Sequence, residues 1–247
     1  TIGSSSAVKT QVVEPAATEV TISSSENPSV YGTTLDLTIK VSQQSESLTI
    51  PTGQVQLWID GVKFMIPLTL DAKGEAVRTV PYFNLWPGSH SVTAFYTPSS
   101  PEQFLASDNT GKDEPLIQVV HKATPVFTIT PSVTTPVASE LVAFSVELSH
   151  PFRSEVIPTG MIQCLVDDVP LGDWVSLDLS GKAQCPESIR LSAGDHVISV
   201  AYDGDDYFLD VEESPVKSLS VAKADTITEF VSVAPLAVVV GQPTVVD

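Results

Sequence analysis

The sequence has 247 residues, 42% of them apolar and 17% charged, with 12 basic against 30 acidic side chains and a formal net charge of −18. That length exceeds one ordinary domain, and the apolar content with modest charge excludes a disordered chain. So acidic a surface repels phosphate backbones, which excludes nucleic acid as a natural partner, and no apolar run nears the roughly 20 residues of a membrane helix, so no membrane insertion is expected in this segment.

Taken in chain order, the elements repeat. Val8 to Ala17, containing Gln11-Val12-Val13, reads as the last strand of a preceding unit, so segment 1–17 is assigned as the end of a preceding repeat or a linker. A first complete unit follows at 18–122. Its stretch Pro51-Thr52-Gly53-Gln54-Val55-Gln56-Leu57-Trp58-Ile59-Asp60 returns 107 residues later as Pro158-Thr159-Gly160-Met161-Ile162-Gln163-Cys164-Leu165-Val166-Asp167, inside a second unit at 123–223. Leu70-Asp71, Gly74 and Gly88-Ser89-His90 have counterparts in Leu177-Asp178, Gly181 and Gly194-Asp195-His196, and Tyr96 pairs with Tyr202. Beyond Ala224, segment 225–247 repeats the opening of a further unit. Both tails are read as truncated repeats, with disorder and strand pairing into a neighbouring sheet as the alternatives.

Within a unit the hydrophobic period is two. Leu35, Leu37, Ile39 and Val41 alternate with polar residues, as do Val55, Leu57 and Ile59, and Val92, Ala94 and Tyr96. Gly and Pro punctuate these runs, and no segment carries a helical apolar stripe. Seven or so short strands per unit predict an all-β, two-sheet sandwich.

The order of these landmarks resembles that of the bacterial immunoglobulin-like repeats found in tandem in large surface or secreted proteins. The resemblance rests on Pro-Thr-Gly opening a strand, the Asp60-Gly61 and Asp167-Asp168 turns, the Gly74 and Gly181 turns, and Gly-x-His leading to Tyr96 or Tyr202. Tyr202-Asp203-Gly204-Asp205 and Phe208 fit it especially well, whereas Tyr96-Thr97-Pro98 departs from it. It implies tandem immunoglobulin-like β-sandwich domains with spacer, adhesive or display roles, and no catalytic chemistry to carry over.

Cys164 and Cys185 are the sole cysteines. Cys164 takes the place of inward Leu57, and Cys185 shares the face of Ala183, so a disulfide across the sandwich is the favoured reading. It would enclose about 20 residues and contribute about 3 kcal/mol. Buried free thiols are the alternative, because Cys185 aligns with Arg78. No His or further Cys stands at zinc-ligand spacing. His90 and His196 recur at one place in both units, a structural pattern, and no nucleophile elbow or clustered Ser, His and Asp accompanies them or His121 and His150, so no enzyme activity is expected.

Acidic clusters run through Asp167-Asp168 with Asp173, and through Asp203, Asp205, Asp206 and Asp210 with Glu212 and Glu213. Solvated turns are the first reading and a calcium site at Asp203, Asp205, Asp206 and Asp210 the second, since calcium wants 6 to 8 oxygens. No other cofactor is indicated. Trp58, alternating with inward Leu57 and Ile59, and Trp86, in a Pro-flanked turn, are the candidate glycan or protein contacts, though either equally covers a domain joint.

Thr1 opens the sequence without a basic and apolar leader, so localisation is argued from fold and cysteines and is expected to be extracellular or cell-surface. The expectation for function is a non-catalytic spacer or stalk module of an exported bacterial surface protein, with neighbouring repeats of the same chain as its partners. The alternative is an adhesive module, calcium-stiffened, that binds glycan or protein through loops or Trp58.

Overall fold

The computed structural model describes residues 9–44, 49–110 and 115–229, and these contain strands, turns and one short 3-10 turn but no α-helix. Segment 225–247, expected to open a further repeat, lies outside the described residues from 230 onward, as does the start of segment 1–17 up to residue 8.

The first unit contains β1 (Thr18–Ser24), β2 (Ser29–Val30), β3 (Leu35–Gln43), β4 (Gly53–Ile59), β5 (Val62–Thr69), β6 (Glu75–Val80), β7 (Gly88–Pro98), β8 (Ser107–Asp108) and β9 (Leu116–His121). One sheet runs β1-β3-β6; the other runs β2-β9-β7-β4-β5, with β8 paired to β7. The alternation read from sequence is the observed one: Leu35, Leu37, Ile39, Val41, Val55, Leu57, Val92, Ala94 and Tyr96 fill the space between the sheets.

The second unit repeats the plan with β10 (Val126–Pro131), β11 (Leu141–Val142), β12 (Phe144–Ser149), β13 (Met161–Val166), β14 (Val169–Pro170), β15 (Val175–Ser176), β16 (Lys182–Gln184), β17 (Ile189–Arg190), β18 (Gly194–Tyr202) and β19 (Lys217–Val221). Its sheets are β10-β12-β16 and β14-β13-β18-β19, with β15 beside β13 and β11 paired to β17. Where β3 and β6 form one ladder from Lys40↔Glu75 to Leu35↔Val80, the second unit breaks it in two. The break falls after the Cys185 N–H donates to the Phe144 carbonyl (2.9 Å), at Pro186, which has no N–H to continue the ladder.

Local chemistry fixes the turns. Asp60 and Gly61 both have positive φ (50° and 73°), as do Asp167 and Asp168 (50° and 65°), the pattern of a two-residue hairpin turn. The fully buried Tyr96 and Tyr202 each donate their phenol to a loop carbonyl, of Thr52 (2.8 Å) and Thr159 (2.6 Å), tying the loop before one strand to the end of another.

Candidate functional site

The most elaborate side-chain arrangement lies where the two units meet. The connection enters the second unit at Ala123, fully buried, whose N–H donates to the Tyr207 carbonyl and whose carbonyl accepts the Leu209 N–H, both at 2.9 Å. Lys122 Nζ donates to the Asp205 carbonyl at 2.5 Å. Around this strand the turn Val30–Thr34 and the 3-10 turn Tyr82–Asn84 of the first unit face the loops 150–156 and 203–209 of the second.

An aromatic stack forms the centre. Tyr31 lies parallel to Tyr207 with ring centroids 5.0 Å apart, and Trp86 packs on both, 6.1 Å from Tyr31 and 5.4 Å from Tyr207. Tyr207 and Val156 touch both hydrophobic cores, so the apolar interior is continuous across the joint. Burial pushes the Tyr31 phenol above its ordinary pKa.

Polar groups fix the register of that stack. His150 is buried; its Nε2–H donates to the Tyr31 carbonyl (2.9 Å), while Nδ1 accepts the Phe152 and Arg153 N–H groups (3.0 and 3.1 Å). These partners assign the proton to Nε2. Arg153 donates Nε–H to the Gly32 carbonyl (2.9 Å) and a terminal N–H to Thr34 Oγ1 (3.2 Å), with its guanidinium 4.9 Å from the Tyr82 ring centroid. The Tyr82 hydroxyl donates to Glu155 Oε1 at 3.1 Å.

Each sequence-predicted residue has a definite place. Cys164 and Cys185 are bonded, with Cα atoms 5.9 Å apart, linking β13 of one sheet to the end of β16 in the other. The alignment with Arg78 does not count against this. Ala76 and Val80, two residues to either side of Arg78, are buried, and Arg78 runs its guanidinium out from that face to the Ile66 carbonyl (2.9 Å).

His90 and His196 are clips. Nδ1 of each meets an Asp carboxylate, Asp60 at 2.7 Å and Asp167 at 2.6 Å, and Nε2 meets a backbone carbonyl, Trp86 at 2.8 Å and Ser192 at 3.1 Å. Each ring thus faces an acceptor oxygen at both nitrogens, which fixes its orientation between turn and strand. The bond from Asp167 raises the pKa of His196, and the Val197 N–H together with His196 lowers that of Asp167.

The acidic residues mostly serve backbone. The Asp205 carboxylate accepts from Thr159 N–H and Oγ1 (both 2.8 Å), Tyr207 N–H (2.7 Å) and Phe208 N–H (2.8 Å), and Asp203 Oδ1 accepts the Met161 N–H at 2.7 Å. Asp203 and Asp210 line an open cavity of about 440 Å³ with Trp174, while Asp206 is placed on the turn between Asp205 and Tyr207. Among the described residues no three His, Cys, Asp or Glu side chains converge as metal ligands would.

Trp58 packs edge-on against Phe95 (5.8 Å) on the outer sheet face, whereas Trp86 belongs to the joint. Sequence reasoning did not find Tyr31, Tyr82, Arg153, Tyr207 or the role of His150. Their signal was divergence between repeats: Tyr31 and Trp86 stand where the second unit has Ala138 and Ser192.

Comparison with known proteins bears on this architecture. Residues 21–112 match the family of bacterial Ig-like domains, group 3. That match falls within the first unit. No curated protein matches the chain. Among solved structures, the chain is similar to the Yersinia pseudotuberculosis adhesin InvE (14% identity, TM-score 0.38, covering 82% of this chain and 58% of that one). It is also similar to a tetra-tandem repeat in the extending region of a large adhesion protein (16%, 0.43, 84% and 50%) and to red sea bream transglutaminase (15%, 0.37, 83% and 31%). The chain thus spans between 31% and 58% of the length of these structures. No helix among the described residues is long and apolar enough to cross a membrane.

Proposed function

We propose that the chain is a non-catalytic spacer of a bacterial cell-surface or secreted protein, in which two Ig-like units are held as one stiff rod. The observation that carries this is the joint. A flexible linker between independent domains would leave aromatic rings and a histidine in water, whereas here Tyr31, Tyr207, Trp86, His150 and Arg153 interlock with hydrogen bonds to backbone on the opposite unit. The disulfide supports an oxidising, extracellular setting. Neighbouring Ig-like repeats are the natural partners of such a rod.

Residual dipolar couplings test the reading directly. One alignment tensor fitting the amides of both units is the expected result; two tensors of different magnitude and orientation would rule out the rigid spacer.

A second reading, as an adhesive module, draws on the Trp58–Phe95 pair on the outer face of the first unit. Glycan-array binding that is lost in Trp58→Ala would favour it. We assign no cofactor: a calcium ion at Asp203, Asp205, Asp206 and Asp210 would have to displace the backbone N–H groups that Asp203 and Asp205 already serve.

A further inference from the structure

The entry to the first unit has the geometry of the entry to the second. The Ala16 N–H donates to the Gln103 carbonyl (2.8 Å) and the Ala16 carbonyl accepts the Leu105 N–H (2.9 Å), reproducing the bonds of Ala123 to Tyr207 and Leu209. Both alanines form the same parallel bridge, Ala16 to Phe104 and Ala123 to Phe208. Stepping back from each alanine aligns Lys9-Thr10-Gln11-Val12-Val13-Glu14 with Leu116-Ile117-Gln118-Val119-Val120-His121, which is β9. The tripeptide Gln-Val-Val is identical in the two.

Their surroundings differ. In β9, Gln118 is fully buried, donating Nε2–H to the Glu26 carbonyl (2.9 Å) and Ser29 Oγ (3.2 Å), and Val120 is 5% exposed. In the earlier segment Gln11 is exposed, Val12 is 75% exposed and Val13 is 82% exposed. Beside Val13 opens a cavity of about 260 Å³ whose wall includes Glu14, Ala16, Gln43, Gln103 and Phe104. By the same alignment these correspond to His121, Ala123, His150, Tyr207 and Phe208. At the second joint, His150 and Tyr207 are covered by the turn that carries Tyr31 and Gly32.

We propose that residues 9–14 are the last strand of another Ig-like unit of the first unit's type, and that this unit seats its turn in the Gln43–Gln103–Phe104 socket. The inference rests on the reading of the chain as a stack of docked units and specifies what docks. The partner is an Ig-like sandwich lacking its own last strand. It presents a backbone carbonyl and a hydroxyl, as Glu26 and Ser29 do, to receive Gln11, and an apolar slot for Val13. An unrelated extended peptide or a lipid surface would satisfy Val12 and Val13 but leave Gln11 without its paired acceptors.

The test is a fusion in which a second copy of residues 18–115 is joined directly to Lys9 of the chain from residue 9 onward, so that 9–14 must complete the added sandwich. A control fusion carries 18–121 in the added copy, giving it its own last strand and leaving 9–14 redundant. Hydrogen exchange is read at the Gln11, Val12 and Val13 amides. At least 100-fold slower exchange in the first fusion than in the unfused chain, abolished by Val13→Asp, is expected, with fast exchange retained in the control. Val13→Asp in the unfused chain leaves its Tm unchanged. The proposal is overturned if the added copy folds in the control but not in the first fusion, or if it folds in both while 9–14 exchanges freely. Dipolar couplings from the two original units of the same fusion report the spacer reading separately, so either idea can fail alone.

Discussion

At the scale of single residues, the Asp–His clips show how one contact ties a hairpin turn to a neighbouring strand. Asp167 bridges a hairpin turn to the first residues of β18, its two oxygens divided between the His196 ring and the Val197 N–H. Because the folded pKa of His196 is raised, its contribution is fully present below the unfolded value of about 6.5 and is lost as pH rises through the folded value. The lowered Asp167 pKa gives the converse: a contribution present above about 3.9 and lost as pH falls through the folded value. Both descriptions concern one bond, which is therefore strongest between about 3.9 and 6.5. Half of the Asp167 side chain is exposed, so solvent screening holds its worth to about 1 kcal/mol or less. An NMR titration of His196 is expected to show a midpoint above about 6.5 that returns toward it in Asp167→Asn; an unchanged midpoint would remove the clip as its cause. The Asp203 and Asp205 carboxylates are engaged in the same manner with backbone, so thermal unfolding in EDTA and in millimolar calcium is expected to give the same Tm. A rise of several degrees with calcium would restore the metal reading.

At the scale of elements, the second unit is the more fragmented sandwich, and the disulfide stands where its sheet is broken. Pro186 ends the β12–β16 ladder and the chain resumes only at β17, whereas the first unit needs no covalent tie across its continuous β3–β6 ladder. Replacing both cysteines by alanine is expected to cost the second unit about 3 kcal/mol. The readout is faster exchange at the Ile162 and Val200 amides than at those of Leu57 and Ala94; equal effects on both units, or none, would contradict it. Much of this level was legible beforehand. Period-two alternation placed Leu37, Ile39, Val55 and Leu57 in the core, and Asp60-Gly61 announced its turn, because these depend on residues adjacent along one strand. The break at Pro186 was less legible, since it is visible only once β16 is known to pair with β12.

At the scale of the whole molecule, the proposed stiffness depends on residues far apart in sequence. His150 meets the Tyr31 carbonyl and Arg153 the Gly32 carbonyl across 119 and 121 positions, which no local pattern encodes. A trace of it lay in the differences between repeats, where bulky Tyr31 and Trp86 replace Ala138 and Ser192. Gly32 gives the sharpest probe. Its φ is +94°, but positive φ alone does not demand glycine here, because Ser139, its counterpart, has a φ of +68°. The stricter reason is proximity: a Cβ on Gly32 would lie 2.2 Å from His150 Cε1 and Nε2. Any side chain there must push His150 out of its three hydrogen bonds or part the units. Gly32→Val is therefore expected to separate the alignment tensors of the two units while leaving core exchange within the second unit intact, a pattern that simple loss of stability would not produce. Tyr207→Ala should act in the same direction more weakly, removing the central ring of the stack without forcing the surfaces apart. If Gly32→Val left a single shared tensor, the joint would be held by its strand connection at Ala123 alone, and the aromatic stack would be a consequence of docking and not its cause.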